Sequence, residues 1–102
     1  MTLVGTFRVE ASHPSLPGHF PGQPVVPGVV LLDEAMAHAT PPGATLAGFD
    51  AVKFTRPVLP GEAVEVLAGP AAGDRMPFAC RVGNEAAVRG TALLTPAPTA
   101  EP

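Results

Sequence analysis

Two residue types that exchange protons near neutral pH fall in one short stretch: His19 and, fourteen residues later, Asp33, with Glu34 directly after it. An imidazole and a carboxyl held in different environments divide a reaction between a base and an acid. The chemistry open to such a pair is proton removal at one atom of a substrate and proton delivery at another. The plainer reading is that both acids decorate an exposed helix edge, where most carboxylates sit. His13 and His38 are read as an exposed loop residue and an edge residue within reach of Glu34, four positions away. Three separated histidines and single Cys80 have no metal-ligand spacing, so no metal is expected. Cys80 lies in an apolar, strand-like run and reads as core filler.

The elements around these residues are sharply drawn. Prolines at 17, 21, 24 and 27 remove backbone donors and restrict the residues before them, so His19 belongs to a stiff, extended arm. Pro27 then suits a helix start, and no proline recurs before Pro41, which leaves room for a helix from Gly28 to Ala39. That helix is apolar on nearly every side and is expected to be enclosed by other structure. A carboxyl inside such an enclosure is favoured in its neutral form, the form a proton donor needs.

The remaining chain alternates with period two. Gly5, Phe7 and Val9 share one side of a strand over residues 2 to 10. Further strands are expected over Leu46–Thr55, Ala63–Ala68, Met76–Val82 and Ala86–Thr95. They are joined by a Pro60-Gly61 turn, a break over 69–74 and a tight Gly83-Asn84 hairpin. Residues 1–95 form one domain, and 96–102, alternating small residues and prolines, reads as a disordered tail. The fold class is α+β, with an antiparallel sheet of about five strands wrapped around one central helix.

Composition narrows the partners. The 102 residues are 46 % hydrophobic and only 15 % charged, too little polar surface for a comfortable monomer, so a subunit interface is expected. A net charge of −3 without a Lys/Arg cluster argues against nucleic acid or an anionic membrane. No apolar run approaches the ~20 residues of a membrane span and no signal pattern opens the chain, so a cytoplasmic location is expected.

At this point the chain resembles a known family. His19-Phe-Pro-Gly followed by Pro27-Gly28-Val-Val-Leu-Leu-Asp33 is similar to the active-site signature of the hotdog-fold 3-hydroxyacyl-[acyl-carrier-protein] dehydratases. Two branches of that family place an acid fourteen residues after the histidine. The stretch Ala47–Glu62, with Arg56-Pro57-Val58 and Pro60-Gly61-Glu62, resembles the family's second characteristic segment. The likeness covers about residues 3 to 95.

The resemblance implies a hotdog fold and elimination of water from a 3-hydroxyacyl thioester carried on acyl carrier protein or coenzyme A, a reaction for which no cofactor is expected. His19 would be the base at C2 and Asp33 the donor to the leaving hydroxyl. The Gly28 backbone N–H would hold the enolate oxygen, and Phe20, Val25, Val26 and Val29 read equally as walls of an acyl tunnel or as ordinary core. The histidine and acid of one site would come from two subunits of a homodimer. Two features depart from the pattern. Ala37 stands where the family carries a glutamine, and a one-residue insertion would make Glu34 the acid instead. One helical position is about 100° of rotation, so both acids cannot face one site. The likeness is strongest to small dehydratase-like proteins of accessory lipid or polyene pathways. Two other readings stay open: a hotdog acyl thioesterase, and a non-catalytic acyl-carrier-binding module.

Overall fold

The computed structural model describes residues 1–10 and 25–96. Among these residues, period-two alternation produces five strands: β1 (Thr2–Phe7), β2 (Ala44–Phe54), β3 (Val64–Ala68), β4 (Arg75–Val82) and β5 (Glu85–Pro96). They form one antiparallel sheet in the order β1-β3-β4-β5-β2, with helix α1 (Gly28–Ala39) packed on β1 and β3. The helix has the bounds expected from Pro27 and Pro41. Pro27 occupies its N-cap, and the Thr40 N–H closes the last turn on Met36 O at 3.0 Å. Pro96, read from the sequence as the first residue of a tail, pairs with Ala44 in β5; residues 97–102 lie outside the described part.

The inner face of the sheet is built by register. Val66 faces Cys80, Cys80 faces Val88, and Val88 faces Phe54, which gives an apolar row across four strands. Val66, Cys80 and Val88 are fully buried, as are Val64 and Phe78 beside them. Each large aliphatic or aromatic side chain enclosed this way contributes about 1.5–3 kcal/mol of transfer free energy. Val30, Leu31, Ala35, Met36 and Ala39 of α1 complete the core.

Two turns carry the sheet's reversals. Gly83 has φ 61 ahead of Asn84, the backbone that a two-residue hairpin joining Val82 to Glu85 requires. Gly61, at φ 87, follows Pro60 in a turn where the Glu62 N–H donates to Leu59 O at 3.2 Å. In β2 the register slips between Asp50 and Lys53, leaving Ala51 (φ 56) and Val52 opposite Gly90. The missing side chain of Gly90 makes this bulge possible, because a Cβ there would lie 2.9 Å from Val52 Cγ2.

The expected enclosure of α1 needs correction. The sheet covers one side of the helix, while Val29, Asp33 and Ala37, spaced by four, form an exposed stripe with Val29 67 % accessible. A hydropathic helix demands cover, and one chain of this fold has a single sheet face to offer.

Candidate active site

The helix N-terminus opens onto a cleft of about 420 Å³ lined by Val25, Val26, Gly28, Leu31, Phe54, Thr55, Arg56, Pro57 and Val58. Helix starts leave N–H groups without intrahelical partners. Here the Val30 and Leu31 N–H groups turn back to Pro27 O, at 3.0 and 3.2 Å. Among the described residues, the Gly28 and Val29 N–H groups have no acceptor, and the helix dipole favours negative charge beside them. Glycine at 28 also makes room for a wall of the cleft. A Cβ there would lie 2.7 Å from Phe54 Cζ, so the ring covers the glycine face to a depth that no side chain would permit.

The expected tunnel residues divide. Val26 is buried and Val25 is half exposed, and both line the cleft; Val29 points away from it into the open stripe. Asp33 lies five positions past Gly28, about 7.5 Å along the axis and 140° around it. It therefore faces another direction and is not among the residues lining the cleft. It is exposed within the single chain, whereas Glu34 is partly covered. The two acids are separated by their position on the helix, as the rotation argument requires. His19 and Phe20 lie outside the described residues.

His38 makes no ion pair with Glu34 among the described residues. Its imidazole stacks on Phe7, with centroids 6.2 Å apart and planes 11° from parallel, and it sits where a side chain on Gly5 would be. It fastens the end of the helix to β1. Cys80 is buried, and desolvation pushes its thiol up to about 11, consistent with a core role. Among the described residues no cluster of His, Cys, Asp and Glu could hold a metal ion. No helix of this part is long and apolar enough to cross a membrane.

The site residues that sequence reasoning left without a role are those on the far wall, Phe54 to Val58. Arg56 is the charged member. Its Nη1 and Nη2 donate to the two carboxylate oxygens of Glu62 at 3.1 and 3.0 Å, Nη1 also to Pro57 O at 3.1 Å, and Nε to Glu85 Oε1 at 3.2 Å. Glu62 Oε1 additionally accepts the Leu59 N–H at 2.8 Å. The Arg56 hydrogen bonds, followed by that backbone N–H, hold the Glu62 carboxyl below its ordinary range. The signal in the sequence was an arginine and a glutamate six apart across a Pro-Gly turn.

The profile of the ApeI-like family, described as ApeI dehydratase, matches residues 1–91. This chain belongs to the ApeI-like family. Its curated relatives include a 3-hydroxyacyl-[acyl-carrier-protein] dehydratase FabZ from Desulforamulus reducens, 38 % identical over a 74-residue alignment that covers 63 % of this chain and 52 % of that one. The ApeI-like chain thus spans about half the length of such relatives. Among solved structures, the dehydratase heterocomplex ApeI:P from Xenorhabdus doucetiae superposes with TM-score 0.73 at 26 % identity, covering 87 % of this chain and 82 % of that one. A Thermus thermophilus thioesterase complexed with coenzyme A and zinc gives TM-score 0.64 at 20 % identity over 98 % of this chain and 84 % of its own, a likeness of fold. The hotdog architecture read from the sequence is the architecture of this ApeI-like chain.

Proposed function

We propose that this chain dehydrates a 3-hydroxyacyl thioester to the trans-2-enoyl thioester, in sites that each take residues from two subunits. The carrying observation is the divergence of Gly28 and Asp33 on one helix: an acid turned about 140° from the cleft serves a different cleft from that of its own chain. The exposed Val25, Val29 and Phe54 around the helix start give a second subunit an apolar surface to cover.

In the reaction, His19 takes the C2 proton and the C2–C3 double bond forms as the C3–O bond breaks. Asp33 of the other subunit gives its proton to the departing hydroxyl, which leaves as water. The Gly28 N–H, without an acceptor among the described residues, holds the charge that develops on the thioester oxygen, where a preorganised backbone donor is most effective. The cleft's apolar walls suit an acyl chain, and the carrier is acyl carrier protein or coenzyme A. Membership in a dehydratase family and the FabZ relatives support this reading over thioester hydrolysis.

The test is complementation. His19→Ala and Asp33→Asn are each expected to abolish formation of the conjugated enoyl thioester while leaving the fold intact. Co-expressed, they are expected to recover about a quarter of wild-type turnover, since half of the dimers then carry one intact site of two. Full activity in both single variants would refute the assignment, and release of free thiol in place of enoyl product would select the thioesterase reading. No recovery on mixing would place both groups in one chain. The ApeI:P heterocomplex favours a second form of the proposal, in which the other subunit is a different hotdog chain; full activity of the purified single chain would exclude that form.

A further inference from the structure

The 57–62 turn holds both ends of the chain segment that contains His19. Before that segment, Val9 O accepts the Gly61 N–H at 2.8 Å, and Arg8 Nη1 donates to Gly61 O at 2.6 Å. After it, the Val26 N–H donates to Val58 O at 2.8 Å, immediately ahead of Pro27 and Gly28. Departure and return are therefore pinned to backbone groups three residues apart, and the second pin also sets the helix N-terminus. The turn has no regular ladder of its own. Its shape is kept by the Glu62 carboxylate, which bonds the Leu59 N–H inside the turn and takes the fork of Arg56, whose Nη1 also holds Pro57 O.

An arginine on the wall of a cleft invites assignment as a binder of an anionic substrate group. The hydrogen bonds argue against it. A guanidinium has five N–H donors, and acceptors within the protein engage Arg56 at Nε, twice at Nη1 and at Nη2. With side chains 24 % and 26 % exposed, Arg56 and Glu62 form a planar, bidentate pair of the kind that fixes direction as well as distance. We infer that Arg56 and Glu62 are positioning residues of the active site: through the 57–62 turn they hold the Gly28 amide and both ends of the His19 arm in register. This rests on the dehydratase reading for its kinetic consequence, and on the hydrogen bonds alone for its mechanical one.

The experiment compares Glu62→Gln and Arg56→Lys with Glu65→Gln, which removes a carboxylate of the same type from a pair with Arg81 across β3 and β4. Amide hydrogen exchange of the full chain is expected to speed up by about tenfold at Val26 and Gly61 in the first two variants and not in the third. In turnover of a 3-hydroxyacyl thioester, kcat is expected to fall by about 10- to 100-fold with KM within about threefold, because misplacement penalises the reaction more than binding. A purely structural role would lower the folded fraction and leave kcat per folded site unchanged, and that result would overturn the inference. So would unchanged exchange at Val26 and Gly61. If the wild-type chain turns over no such thioester, the proposed function falls, while the exchange comparison still decides whether the ion pair holds the arm.

Discussion

Asp33 and Glu34 differ by one covalent step and by everything that surrounds them. Asp33 sits in the open stripe with Val29 and Ala37, where a neighbouring subunit can reach it; Glu34, about 100° further round the helix, is partly covered. Loss of a positioned proton donor costs about 10²- to 10⁴-fold in rate. Asp33→Asn is thus expected to lower dehydration by at least about a hundredfold, and Glu34→Gln by less than about fivefold, with unchanged thermal unfolding in the first. The reverse order in a steady-state assay would transfer the acid's role to Glu34. The lack of a glutamine at Ala37 fits the geometry, since that position is exposed in the same stripe and a contact to the acid there can come from another chain. Cys80 makes the opposite case. Raised to about 11 by burial, its thiol is expected to resist alkylation at neutral pH while the protein is folded and to react at an ordinary rate in denaturant, which a timed reagent assay reads directly.

At the scale of elements, the Arg56–Glu62 pair links the turn's shape to pH. Glu62 is depressed from its ordinary value of 4.5 by Arg56 first and the Leu59 N–H second. A carboxyl depressed by folding contributes its stabilisation in full above the ordinary value and loses it as the pH falls through the depressed one. The difference in melting temperature between wild type and Glu62→Gln is therefore expected to be constant above about pH 5 and to close as the pH drops below 4.5. A pH-independent gap would assign the loss to packing. Much at this scale was legible beforehand. Pro27 and Pro41 bound the helix by removing donors, Gly83-Asn84 marks a hairpin, and the alternation around Val64, Val66, Phe78 and Cys80 separates the two sheet faces. The β2 bulge was not legible, because it depends on Gly90 of the neighbouring strand, some forty residues away. Nor was the role of Arg56, since its pair with Glu62 closes only when the Pro60-Gly61 turn brings the two together. The roles proposed for Asp33 and Gly28 follow from the resemblance of their segment to a dehydratase signature, and neither likeness nor spacing tells which chain covers a helix face.

On the scale of the whole molecule, the helix stripe and the cleft mouth raise one question: what covers Val25, Val29 and Phe54, 49 %, 67 % and 52 % exposed and gathered at the helix start? A second hotdog chain would bury these side chains and exclude water from Asp33. Val29→Glu tests this without threatening the subunit itself. Position 29 is in the first helical turn, where a carboxylate is favourable to the dipole, and it is open to solvent in the lone chain. In an apolar interface the same carboxylate would be buried without a partner, which is expected to weaken association by about 2 kcal/mol or more, roughly thirtyfold. Sedimentation velocity across a concentration series should then show the variant dissociating at concentrations where wild type stays assembled. Turnover should fall in step with the assembled fraction and return when the protein is concentrated. If the variant assembles like wild type, this stripe lies outside the interface. If it turns over substrate as a monomer, the acid and the cleft meet within one chain and the two-subunit site is wrong.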